Sequence, residues 1–305
     1  MNVIVTGASG FVGSALVNEL LKHPEIEHIL CIDLTRNETR LPENPHIDFL
    51  CLSVSEIGKL PDLINGRSYS VFYHFAWVGS AGPLRTDEKV QTQNALWTVD
   101  CLRVAKKIGC LKFVCAGSIM EFESNVAVYA QESKPGLPYI YGIGKSLAHS
   151  LCKPIANSIG VDLVWAYITN TYGVGENSPR FINTTLRKII NKEPLEFTAG
   201  TQNYDFIYID DVARAFYLLG ISGKANKGYI IGSGRPRPLK EFILEMVNAN
   251  EPSNQPKFGG VPFTGINLPL DVFSTSEIEK DTGFQSEISF AEGTKETLEW
   301  LKGVN

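Results

Sequence analysis

Tyr141 and Lys145 stand four residues apart in the stretch Tyr141-Gly-Ile-Gly-Lys145, just beyond Pro138. On a helix that spacing puts both side chains on one face, about one turn apart. A phenol ordinarily titrates near 10 and is a poor proton carrier at neutral pH, but an adjacent ammonium favours its anion. The pair reads as a proton-exchanging site. Ser118, in Ala116-Gly117-Ser118 after the apolar run Leu111–Cys115, adds a hydroxyl that can bond the oxygen of a reacting group. A Tyr-x-x-x-Lys pair arises by chance in a chain of this size, so its meaning depends on what positions it.

The opening residues, MNVIVTGASGFVG, supply the scaffold. An apolar run (Val3–Val5) ends in Thr6-Gly7, and Gly10 and Gly13 follow before an apolar-periodic segment begins near Phe11. Strand, glycine turn and helix in that order let backbone approach a diphosphate, with free N–H groups and the positive dipole end aimed at it. A second apolar run, His28–Ile32, ends in Asp33, 20 residues after Gly13. A carboxylate there bonds the adenosine ribose hydroxyls of NAD and repels the extra phosphate of NADP. Arg36 and Arg40 lie just beyond it and are able to accept a 2′-phosphate, so NAD leads and NADP remains an alternative. The positive charge of an oxidised nicotinamide would add to that of Lys145 in favouring phenolate.

Strand-like runs recur at Val3–Val5, His28–Ile32, Ile47–Leu52, Val71–Phe75, Leu111–Cys115 and Leu163–Tyr167, with helical patterns beginning near Phe11, Ser55, Glu88 and Gly142. This alternation predicts an α/β fold, a doubly wound parallel sheet with helices on both faces. After about Gly173 the rhythm changes to short helices (about Phe181–Lys192, Val212–Gly220, Leu239–Ala249 and Ala291–Lys302). The expected organisation is a dinucleotide-binding domain over 1–172 and a smaller α/β substrate lobe over 173–305 that exchanges segments with it. Ligands on such sheets bind beyond the carboxyl ends of the strands. That points to His74-Phe75-Ala76-Trp77, Ala116-Gly117-Ser118 and Thr169-Asn170-Thr171-Tyr172-Gly173.

The bulk numbers exclude other classes. A chain of 305 residues, 44% hydrophobic and 20% charged, buries a substantial core. A net charge of −5 gives no basic footprint for nucleic acid or anionic membrane. No apolar stretch approaches the roughly 20 residues of a membrane span. The chain begins directly with a strand, without a signal-like segment, and its six cysteines include no C-x-x-C pair. Free buried thiols, no metal and a cytoplasmic location are the expectation.

At this point the chain resembles the extended short-chain dehydrogenases/reductases, the nucleotide-sugar epimerase/dehydratase group, over nearly its whole length. The T-G-x-x-G-F-x-G turn (Thr6–Gly13), Asp33, H-x-A (His74, Ala76), Asn94, Ser118, Tyr141 with Lys145, and N-x-Y-G (Asn170–Gly173) carry the resemblance. So does Asp205-Phe-Ile-Tyr-Ile-Asp210-Asp211-Val-Ala213. The resemblance implies hydride transfer at a sugar carbon, usually C4, with Tyr141 as acid/base, Ser118 on the reacting oxygen and Lys145 tuning the phenol. It implies a cofactor held by Gly7, Gly10, Phe11, Val12, Asp33, Phe75, Ala76, Asn94, Lys145, Tyr167 and Asn170. The substrate would meet Ser118, Tyr141, Asn170, Arg180, Tyr204 and Arg235. Homodimers through the two long helices are implied as well.

Departures narrow the chemistry. Family dehydratases carry Asp-Glu directly after the serine position, where this chain has Ile119 and Met120, which disfavours 4,6-dehydration. Tyr204 stands where the family has an arginine, and Leu268-Pro-Leu-Asp271 lacks another that grips the substrate diphosphate. Arg180, Arg187, Arg235 and Arg237 are the available substitutes. Cys51-Leu52-Ser53 lacks the usual adenine-contacting aspartate. Ala116-Gly-Ser118-Ile-Met-Glu121-Phe122 is similar to the G-S-x-x-E-Y of sugar-nucleotide 4-ketoreductases, which act in deoxysugar and surface-polysaccharide pathways. The leading reading is an oxidoreductase that reduces a nucleotide-linked 4-keto-(6-deoxy)sugar. An NAD-retaining C4 epimerase and a non-catalytic dinucleotide-binding sensor are the alternatives.

Overall fold

Apolar runs bounded by glycine or polar residues suit parallel strands, which are buried on both faces. In the computed structural model, which describes residues 1–64 and 66–304, seven of them form one parallel sheet. They are β1 (Asn2–Thr6), β2 (His28–Asp33), β3 (Ile47–Cys51), β4 (Val71–His74), β5 (Lys112–Ser118), β6 (Asp162–Ile168) and a final strand, Lys227–Ile231. The spatial order is Lys227–Ile231, β6, β5, β4, β1, β2, β3. The direction of filling reverses between β1 and β4, and the crevice outside the carboxyl ends at such a reversal is where ligands bind.

Alternate residues of β1 enter different cores. Val3 and Val5 face α1 (Phe11–Leu20) and the helix Ile209–Ser222, whereas Ile4 faces the helices Glu88–Lys107 and Ile140–Ile159. Phe216 anchors the first core, fully buried and edge-on to Phe75 at 4.7 Å. Phe216→Ala should cost about 3–5 kcal/mol of stability, as large-to-small core changes do; urea denaturation of the two proteins measures it.

The sheet ends where the sequence pattern places its first six strands, to within a few residues. The seventh strand was not anticipated. It pairs in parallel with β6 (Lys227 opposite Val164), so residues 209–231 return to the sheet layer across the boundary expected at 172/173. Three further C-terminal helices, Phe181–Ile190, Leu239–Asn250 and Phe290–Gly303, enclose a third core around Leu186, Phe242, Ile243 and Leu301. A helix over Met120–Tyr129 directly follows β5 and was also unforeseen. Two helix starts differ from expectation. The segment near Ser55 is a 3₁₀ helix (Val54–Lys59) leading into one turn at Leu60–Leu63. The helix expected near Gly142 begins at Ile140, after a 3₁₀ turn over Leu137–Tyr139.

Candidate active site

A cleft of about 500 Å³ runs along the carboxyl ends of the strands. Gly7, Gly10, Phe11, Val12, Asp33, Phe75 and Ala76 line one end of it, and Ser118, Tyr141 and Lys145 the other. Gly13 lets α1 begin against the turn: a Cβ there would sit 2.1 Å from the Gly7 carbonyl oxygen. The Asp33 carboxylate accepts the N–H groups of Ser9 (2.9 Å) and Leu34 (2.8 Å), which fixes it at the rim. Arg40 also lines the cleft, bonded to the carbonyls of Ser9 and Gly175, while Arg36 pairs with Glu38 at 3.0 Å. Leu52, Ser53 and Val54 form the wall where an adenine-contacting aspartate is missing.

At the other end two cations flank the catalytic candidates. Lys145 Nζ donates to the Ala116 carbonyl (2.7 Å) and lies 3.7 Å from the Trp77 ring centre. Trp77 meets the Tyr141 ring edge-on at 6.1 Å, and Arg85 places its guanidinium carbon 4.0 Å from that ring's centre. The glycine after Tyr141 has a steric purpose: a Cβ at Gly142 would lie 2.0 Å from Ser124 Oγ, so the helix opens close to Met120–Tyr129. Ser118 Oγ accepts the Met120 N–H (3.2 Å) at the start of that neighbouring helix.

Glu121 is turned away from the cleft. Its Oε1 accepts the Ser118 N–H (2.9 Å) and the Trp165 indole N–H (3.0 Å). Burial pushes this carboxyl up to about 7. His149, stacked on Trp165 at 4.5 Å, lies 3.9 Å from the other oxygen and shares a hydrogen bond with the Tyr167 hydroxyl (3.0 Å). Burial holds that imidazole down at about 4. The raised carboxyl binds its proton more tightly folded than unfolded. Its contribution is present at acid pH and lost as pH rises from the ordinary carboxylate range through about 7. Glu121→Gln keeps both accepted hydrogen bonds and removes the titration. Its stability relative to the parent should therefore improve between pH 5 and 8, which guanidinium unfolding at both values tests.

The remaining expected site residues fall into three groups. Asn170, Arg180 and Tyr204 border a second cavity of about 360 Å³ next to the cleft; Arg180 borders both. Asn94 and Tyr167 line neither cavity. Asn94 is buried and clips the backbone of Val78, accepting its N–H (2.9 Å) and donating to its carbonyl (2.8 Å). Tyr167 packs edge-on to Phe122 (4.9 Å) beside His149. Arg235 is exposed and borders neither cavity; Arg237 pairs with Glu245 and covers the Phe242 ring at 4.1 Å. His74 is structural: Thr98 donates to the Asn94 carbonyl, so His74 donates to Thr98 and accepts from Thr6. Arg85 had no signal in the sequence; Thr169 and Thr171 lie in a strand-end stretch expected at the cleft, though neither hydroxyl was singled out. Both threonines line the cleft, are buried, and lack a hydrogen-bond partner among the described residues. Such atoms are normally satisfied by a ligand or water, so the cleft fits a polar dinucleotide.

Exchange of hydride and proton at one carbon needs a continuous crevice from an adenosine-binding turn to an ionisable phenol. This chain has that crevice, which places it among dinucleotide-dependent oxidoreductases of the short-chain type. Residues 3–232 match the NAD dependent epimerase/dehydratase family, and the chain belongs to it. Its relatives in this enzyme family differ in reaction. A dTDP-glucose 4,6-dehydratase of Haemophilus influenzae is 23% identical over 334 residues, covering 98% of this chain and 97% of the relative. A dTDP-4-dehydro-6-deoxyglucose reductase of Escherichia coli is 24% identical over 253 residues, 79% of each chain. A UDP-N-acetylglucosamine 4-epimerase of Methanobrevibacter ruminantium, solved with UDP-N-acetylmuramic acid, superposes with a TM-score of 0.81 at 21% identity, over 100% of this chain and 99% of that one. Among the described residues, no helix is long and apolar enough to cross a membrane. All six cysteines are free thiols.

Proposed function

We propose that this enzyme reduces the C4 carbonyl of a nucleotide-linked 4-keto-6-deoxysugar. The observation that carries the reading is the environment of Ser118. Elimination of water needs an acid/base pair beside the serine, but Ile119 is buried against Leu268 and Phe273, and Glu121 is committed to Ser118 N–H and Trp165. At the Ser118 end the cleft is lined by that hydroxyl, the Tyr141 phenol and the Lys145 ammonium. That set serves hydride transfer at a single carbon.

Held in the cleft, NADH would supply the hydride. Ser118 donates a hydrogen bond to the carbonyl oxygen, and Tyr141 gives that oxygen its proton as the carbonyl carbon is reduced. Lys145, one helical turn on, steadies the phenolate left behind. Glu121 fixes Ser118 from behind. The decisive assay is cofactor balance with 4-keto-6-deoxysugar nucleotides. Stoichiometric consumption of NADH is expected; product formed with no net consumption would establish the C4-epimerase reading instead.

The two long helices pack on each other and leave Leu96 and Ile143 as exposed apolar side chains. We infer a homodimer through that face. Leu96→Glu should shift the protein to monomer in light scattering; a parent that is already monomeric refutes the interface.

A further inference from the structure

The second cavity lies between the loop after β4 and residues 170–183, and Arg85 and Arg180 both border it. Arg85 is held in place by a hydrogen bond to the Ser80 carbonyl (2.8 Å) and by its seat on the Tyr141 ring, 4.0 Å away. Burial and the charge of Arg180 both act against its own charge. Two guanidiniums that repel one another across a cavity call for an anion between them.

The carboxylates nearby fill that need only in part. Glu176, which borders the same cavity, pairs with Arg180 at 3.2 Å, so a bound anion would share that arginine with it. Glu123 faces Arg85, but burial pushes it up to about 7, so it is a weak counter-charge at neutral pH. Thr171 Oγ1, buried and unpartnered among the described residues, borders the same cavity. Tyr204, stacked on Phe206 at 5.6 Å, supplies a flat aromatic wall. Together these suit a doubly charged group followed by a ring.

We propose that Arg85 and Arg180 grip the substrate's diphosphate between them, in place of the arginines absent at Tyr204 and near Leu268–Asp271. The seat of Arg85 on the Tyr141 ring ties that grip to the reacting carbon. The assignment rests on the nucleotide-sugar reading above and adds the residues that would select for it. A monophosphate or a neutral sugar would leave one guanidinium unmatched.

Calorimetric titration of the NAD-loaded protein with UDP, dTDP, CDP and GDP tests this. At least one nucleoside diphosphate should bind. Arg85→Gln and Arg180→Gln should each weaken it by about tenfold or more, as expected for loss of charge-assisted bonds. The matching monophosphate should lose less, and NAD affinity should stay within about twofold. If the parent protein binds none of the four, the nucleotide-sugar reading itself fails. If it binds one and Arg85→Gln binds it as tightly with NAD affinity intact, the two-arginine grip is wrong and the wider reading stands. Should Arg85→Gln fail to fold, Arg180→Gln, changed at a half-exposed side chain, decides: unchanged diphosphate affinity there overturns the proposal.

Discussion

Tyr141→Phe should lower turnover by about 10²- to 10⁴-fold, the usual contribution of a positioned acid/base, while the folded protein keeps its NAD affinity. The ring stays and only the oxygen leaves, so the edge contact with Trp77 and the face offered to Arg85 persist. The neighbouring Ser118 and Lys145 are poor replacements. Ser118 Oγ accepts the Met120 N–H and keeps its own O–H to donate, but an alcohol is a far weaker acid than a phenol, and Lys145 Nζ is held on Ala116 and Trp77. Steady-state rates beside a fluorescence titration of NADH separate the two effects. A variant that turns over within a few-fold of the parent would remove Tyr141 from the chemistry.

Gly13→Ala should have the second largest effect, this time on the cofactor. The added methyl would stand 2.1 Å from the Gly7 oxygen and 2.9 Å from its carbonyl carbon, both rigid backbone. Relief requires α1 to retreat from the turn. Overpacking of this kind costs about 1–3 kcal/mol, and the retreat carries the helix's free N–H groups away from the diphosphate they would bind. NAD affinity should fall by about tenfold or more, and the thermal midpoint should drop with it. Unchanged NAD binding would show that the turn is not the diphosphate cradle.

Much of this was legible because it is local. Strand, glycine turn, helix and carboxylate follow one another within Asn2–Asp33, and Tyr141 and Lys145 share one helix, so spacing alone carries them. What escaped the sequence is what tertiary contact creates. Arg85 sits in a loop rich in glycine, serine and proline, and it matters only because Gln91 and Asn94 fasten that loop beside Tyr141. Asn94, expected at the cofactor, bonds the Val78 backbone of that loop. Tyr167 ends β6 on the side of His149 and Phe122 rather than the cleft, a choice of sheet face that one residue of register decides. The strand Lys227–Ile231 is five residues long and lies among turns, so nothing near it in sequence announces that its partner is β6.

That late strand bears on how the polypeptide matures. During synthesis β6 has a bare outer border until residue 231 has emerged, and an uncovered border invites association with other nascent chains. The helix Ile209–Ser222 must arrive as well before Phe75 and Val5 have their full cover. A nick made by protease between residues 173 and 205 should therefore leave the two pieces locked together, and expression of 1–172 alone should yield insoluble material rather than a free-standing dinucleotide binder.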